Sequence, residues 1–238
     1  MKITPTYLSI ISIILLLCAN SGTAQTEQTE QLQDSTEFKQ KYGLRVGLDL
    51  SKLIRTAFQD DYRGFEVIGD YRVYRSFYAA AEIGNEQITF DEGLIRATSS
   101  GSYAKIGADY NAYNNWQDMQ NSIFVGIRYG FSTFSQELEE YTIYTTTPYF
   151  GPDTRTPEDP ETTGLTASWI ELMAGIKVEV LNNLFLSANV QLKRRIGQSS
   201  PSGFDNLSIP GFNRTYDDSQ FGVGYAYTIS YLLPLYKK

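Results

Sequence analysis

Few residue types are available for chemistry in this chain. Histidine is absent, and Cys18 is the only cysteine. Ser-His-Asp and Cys-His nucleophile systems, common zinc sites and internal disulfides are thereby excluded. Carboxylates, amines and guanidinium groups remain. Glu171 and Glu179 share one face of an alternating segment and form the pair best placed for acid–base work. Their surroundings argue otherwise. The same faces along the chain carry Arg45, Arg72, Lys105, Arg128, Lys177 and Lys193 against Asp49, Glu66, Asp70, Glu82, Asp109, Glu171 and Glu179. Charges removed from water need partners. The expected chemistry is an ion-pair and hydrogen-bond network, with no catalytic, cofactor or metal site.

The elements that must position these charges have a period of two. Eight segments alternate strictly: 44–51, 65–73, 77–84, 104–110, 123–132, 170–179, 184–193 and 221–231. Such alternation is the signature of strands with two unlike faces. One face of every segment carries no charge; the other holds all thirteen charged residues named above. In a membrane barrel an Arg or Lys on the lipid face costs roughly 2–4 kcal/mol near the midplane, which would keep one face free of charge. The fold expected is all-β, an eight-stranded antiparallel transmembrane up-and-down barrel.

The connections alternate in length. Ranges 55–63, 85–100, 136–164 and 197–219 read as long loops, whereas 75–76, 114–120 and 181–183 are shorter. Barrels threaded from the periplasm have short turns inside and long loops outside. The soluble rival is a lipocalin-like periplasmic barrel with its apolar face inward. Bulk decides between them. The apolar face carries Phe65, Tyr71, Phe77, Tyr129, Phe131, Tyr225 and Tyr227, too much to converge inside eight strands. The charged face carries Gly47, Gly84, Gly107, Gly126, Gly130, Gly175, Gly222 and Gly224, which suit the crowded side. Aromatics near strand ends (Tyr62, Tyr74, Phe77, Tyr113, Trp116, Phe134 and Tyr236) fit interfacial girdles.

The N-terminus reads as a signal peptide over 1–24. Lys2 is followed by the apolar stretch Leu8–Leu17, and Gly22-Thr23-Ala24 puts small residues at the two positions a signal peptidase reads, with cleavage before Gln25. A polar leader covers 25–42, and the barrel covers 43–238. The net charge of −7 argues against nucleic acid.

Gln220-Phe221-Gly222-Val223-Gly224-Tyr225-Ala226-Tyr227 resembles the signal read by the outer-membrane assembly machinery, displaced here from the extreme C-terminus. The segments YGLRVGLDLSKLIR, YRGFEVIGDYRVY, VGIRYGFSTFSQ, AGIKVEVLNNLFL and IPGFNRTYDDSQFGVGYAYTISYLLPLYKK resemble an uncharacterised family of Bacteroidota outer-membrane barrel proteins. The architecture is similar to the small OmpA and OmpX barrels. The resemblance implies location and fold and brings no activity or site residues.

The function expected is non-enzymatic: a plugged barrel, meeting outer-membrane lipid, lipopolysaccharide or a surface partner through its long loops. A narrow solute or ion channel is the alternative. The loop 136–164 is acidic, with Glu137, Glu139, Glu140, Asp153, Glu158, Asp159 and Glu161 against Arg155, and reads as solvated.

Overall fold

The computed structural model describes residues 41–91, 93–113, 120–143, 153–201, 205–216 and 218–237. The signal segment, the 25–42 leader except its last two residues, and Trp116 lie outside them, as does the side chain of Tyr236.

Eight long strands run β1 (Lys41–Asp49), β2 (Tyr62–Tyr74), β3 (Phe77–Asp91), β4 (Ile95–Asn111), β5 (Ser122–Ile143), β7 (Glu161–Leu181), β8 (Leu184–Gln198) and β11 (Phe221–Lys237). Each pairs antiparallel with its chain neighbours, and β1 also pairs with β11, so the sheet closes into a ring. A short β6 (Asp153–Arg155) adds to β5, and β9 (Ser208–Ile209) and β10 (Asn213–Arg214) make a separate hairpin. One helix, α1 (Leu50–Phe58), follows β1. No helix among the described residues is long and apolar enough to cross a membrane, which says nothing about strands.

The alternation read from the sequence is the alternation observed. Along β5, exposure switches at every residue from Ser122 to Phe134. Val125, Ile127, Tyr129 and Phe131 face outward, each about half exposed, while Phe124, Arg128 and Ser132 are buried. The apolar face is therefore outside and the charged face inside. Phe77 and Tyr110 lie together on the exterior, with ring centroids 5.1 Å apart. Tyr74 and Tyr113 are also exposed. Tyr62 and Phe134 do not join this exterior set: both are buried inside the ring.

Several connections differ from the sequence reading. Residues 85–100 are not a loop, because β3 continues to Asp91 and β4 starts at Ile95. Here polar residues follow both faces of the hairpin, and the period-two contrast fades. Leu50 and Ser51 are helical rather than strand. Asp49 caps α1: its carboxylate accepts from the Ser51 amide at 2.8 Å, which ends β1 and starts the helix. Within 136–164, β5 runs on to Ile143 and β7 begins at Glu161. Two turns at the opposite end, between β2 and β3 and between β7 and β8, are tight. Arg75 and Asn183 take positive φ there, 38° and 66°.

Candidate functional site

The interior is assembled by register. Cross-strand pairing sets glycine beside most of the longest inward side chains: Gly107 beside Arg128, Gly130 beside both Lys105 and Trp169, Gly126 beside Asp109, Gly222 beside Lys193. A Cβ on Gly130 would strike the Trp169 indole, so the glycine provides the space that the tryptophan fills. The inward glycines seen in the sequence are thus the sockets for the charged and aromatic residues.

Three groups of charges stack along the axis. Nearest the tight turns, Asp70 binds both Arg45 and Lys177, each at 2.7 Å. The Arg45 guanidinium also lies 4.8 Å from the Phe185 ring centroid. In the middle, Glu82 pairs with Lys105 at 2.7 Å and with Arg128 at 3.0 Å, and Arg128 reaches Asp109 at 2.7 Å. Lys105 lies 3.2 Å from Glu66, whose other oxygen-bound partner is the Tyr103 hydroxyl, donating at 2.5 Å. Glu171 sits 3.9 Å from both Lys105 and Lys193. Nearest the loops, Glu86 is fully buried. It accepts from Lys52 at 2.8 Å, the Tyr62 hydroxyl at 2.5 Å and the Gly211 amide at 2.6 Å.

Of the thirteen expected interior charges, ten enter these groups: Arg45, Glu66, Asp70, Glu82, Lys105, Asp109, Arg128, Glu171, Lys177 and Lys193. All ten are buried. The other three serve elsewhere. Asp49 is the helix cap. Arg72 donates to the Arg75 carbonyl at 2.6 Å and Glu179 accepts from the Asn183 amide at 2.8 Å, so both brace turns. Glu171 and Glu179 are therefore not a facing acid–base pair. Among the described residues no group of three or more metal-ligating side chains occurs.

Above the charges lies an apolar layer inside the ring: Tyr103, Phe134, Leu165, Ala167, Trp169, Ile209 and Phe212. The last two come from the 197–219 connection. That connection is not a loop presented outward, because its β9–β10 hairpin folds into the mouth. Phe212 packs on Trp169 with centroids 5.9 Å apart. Polar contacts to the hairpin backbone hold it: Lys193 donates to the Gly211 carbonyl at 2.8 Å and Ser99 to the Ser208 carbonyl at 2.9 Å. Gly211 has φ +81° and lies over the Tyr103 ring, where a Cβ would come within 2.6 Å of ring carbon. Gly211→Val is expected to unseat the hairpin while leaving the ring closed. Limited proteolysis checks this: cleavage between 205 and 216 should accelerate, and unchanged protection would contradict the packing.

A family described as a domain of unknown function, DUF6048, matches residues 6–238. The chain belongs to this family. None of the curated proteins compared with it matches. Among solved structures it is similar to Ail, the attachment invasion locus protein of Yersinia pestis, at 10% identity and a TM-score of 0.39, covering 82% of this chain and 98% of that one.

For this DUF6048 member the sequence left Lys52, Glu86 and Trp169 unassigned and placed Tyr62 in the interfacial set rather than the interior. Lys52 and Glu86 were hidden by the misread ends of β1 and β3. The apolar run Ile209-Pro210-Gly211-Phe212 inside a polar connection was the available sign of an inserted hairpin.

Among the described residues the ring wall is interrupted beside β1. β1 pairs with β2 only from Leu44 to Leu48, and with β11 only as far as Asp49–Thr228. β2 and β11 continue toward the loops without β1 between them, and α1 occupies the space. Side chains replace the missing ladder. The Thr56 hydroxyl accepts from the Gly64 amide at 2.8 Å and lies 3.0 Å from the Gly64 carbonyl, and Asn213 donates to the Val223 carbonyl at 3.0 Å. Leu53, Ile54 and Phe58 face outward from the helix, whereas Lys52 reaches inward to Glu86.

Proposed function

We propose that this chain is a non-enzymatic outer-membrane β-barrel with a closed interior, its tight turns toward the periplasm and its loops outside. The observation that carries the reading is the continuous uncharged exterior around a charge-paired interior. From Ile123 to Phe131, from Ile170 to Val180 and from Leu186 to Leu192, every outward residue is apolar. Crossing a bilayer takes a barrel strand of about 9–11 residues, which each of the seven long strands from β2 onward can supply. A soluble ligand-carrying barrel needs the reverse arrangement, an apolar interior and a polar skin.

Closure follows from the filling. Trp169, Glu171 and Glu86 have essentially no exposure, and the β9–β10 hairpin enters from the loop side. Eight strands leave room for side chains and no porin-sized channel. The exposed surface for a partner is then the extended β3–β4 hairpin and the β5–β7 ends, not the hairpin folded inside. Lipid and lipopolysaccharide would meet the exterior, and the β11 segment 220–227 would serve the assembly machinery.

Heat-modifiable migration of a membrane fraction tests the proposal. The unboiled chain is expected to run apart from the boiled chain, and the same preparation in a planar bilayer is expected to show no steady unitary openings. Absence of any shift, with the chain in the soluble fraction, would overturn the membrane reading. Steady openings would overturn closure.

A further inference from the structure

We infer that the wall interruption between β2 and β11 is a lateral port for one anionic amphiphile, its phosphate or carboxylate headgroup lodged behind α1 and its hydrocarbon chain on the exterior. This rests on the exterior being lipid-covered.

A cavity of about 300 Å³ lies at the interruption, a size in the range of small-ligand sites. Its lining combines residues whose side chains belong to the two faces of the wall. Val190, Val223 and Tyr225 are exterior residues, 64%, 74% and 59% exposed, while Glu66, Lys105 and Lys193 are interior and buried. An intact strand wall separates these two environments; beside β11 here β1 has ended and α1 takes its place. A molecule entering sideways from an apolar exterior into a charged pocket must itself have an apolar and a polar part.

The polar part is an anion. The lining holds Lys52, Arg55, Lys105 and Lys193 against Asp49 and Glu66. Asp49 is committed to capping α1, accepting from both the amide and the hydroxyl of Ser51. Lys105 is committed to Glu82 and Glu66. Lys193 is less so, with Glu171 at 3.9 Å and one bond to the Gly211 carbonyl. Among the described residues no carboxylate pairs with Arg55. Its Nε–H donates to Gln59 at 3.0 Å and its guanidinium lies 3.7 Å from the Tyr62 ring centroid. A planar guanidinium held flat on a ring is pre-organised for two-point contact with a phosphate or carboxylate. Arg55 is thus the cation available to a guest, and Lys193 is the second.

The test uses the full chain in an uncharged sugar-based detergent, titrated calorimetrically with phosphatidylglycerol, phosphatidylcholine of the same chains, or inorganic phosphate. One phosphatidylglycerol per chain is expected, about tenfold tighter than phosphatidylcholine, and Arg55→Gln should remove most of that preference. Val223→Trp, which fills the port from outside, should abolish binding with heat-modifiable migration retained. Equal binding of the two lipids, undiminished binding by Arg55→Gln, or inorganic phosphate binding as tightly as the lipid would overturn the inference; the last would make the site one for free anions. A chain that shows the heat shift but ignores phosphatidylglycerol sinks this inference alone, whereas a chain without the shift sinks the barrel reading beneath it.

Discussion

Lys105→Met is expected to destabilise the folded chain by about 3–5 kcal/mol, the loss typical when one partner of a buried charge cluster is removed. Among the described residues Lys105 is the only cation that reaches Glu66, Glu82 and Glu171 together, at 3.2, 2.7 and 3.9 Å. Without it, Glu82 keeps Arg128 and Glu171 keeps Lys193. Glu66 keeps the Tyr103 hydroxyl and loses its ion pair. The double variant Lys105→Met with Glu66→Gln should therefore recover about 1–3 kcal/mol, because a neutral amide is far cheaper to bury than an orphaned carboxylate. Denaturant titration in lipid vesicles, read by tryptophan emission, measures both. Trp169 is fully buried next to Glu171 and reports on this region. A loss below about 1 kcal/mol, the value of an exposed pair, would mean that water reaches these charges.

The second large effect is on the outside. Ile127→Arg places a cation on the exterior of β5, flanked by Val125 and Tyr129 on the same face. If that face meets hydrocarbon, the cost is about 2–4 kcal/mol near the midplane. The comparison is Glu137→Arg, farther along the same strand, where the residue is exposed and stands directly across from Glu161. That change replaces a like-charge neighbour with an opposite one and should fall within about 0.5 kcal/mol of neutral. The yield of heat-shifted protein in the outer-membrane fraction should drop sharply for Ile127→Arg alone. Equal yields would reverse the inside–outside assignment.

The strands were legible because exterior and interior residues obey opposite rules. Each of the eight alternating segments is strand except for Leu50 and Ser51 at the end of the first, and the charges sit on the side that glycine spacing indicated. Legibility stopped where those opposite rules stop. Beyond Gly84, β3 reads Asn85-Glu86-Gln87, polar on both faces, so a strand looked like a loop and the buried Glu86 went unnoticed. The start of α1 was missed for the opposite reason. Leu48 and Leu50 extend the period-two pattern by one step, although Leu50, Leu53, Ile54 and Phe58 also fit a helical stripe and Asp49 is a good cap. The inserted hairpin depended on contacts between residues 99, 193 and 211, which no local pattern encodes.

The short β1 also bears on how the ring opens and closes. Its neighbours share only the stretch Leu44–Leu48 with β2, whereas β4 and β5 are laddered from Ile95–Tyr141 down to Asn111–Phe124. The seam between β1 and β2 is thus a thin line of backbone bonds beside the long β4–β5 ladder. Stress applied to the ring will concentrate there, whereas the β1–β11 seam, which joins residues farthest apart in the chain, is the natural one to zip last during folding. The molecule carries its hinge beside its latch: the helix that finishes the wall leaves directly from the strand that closes it.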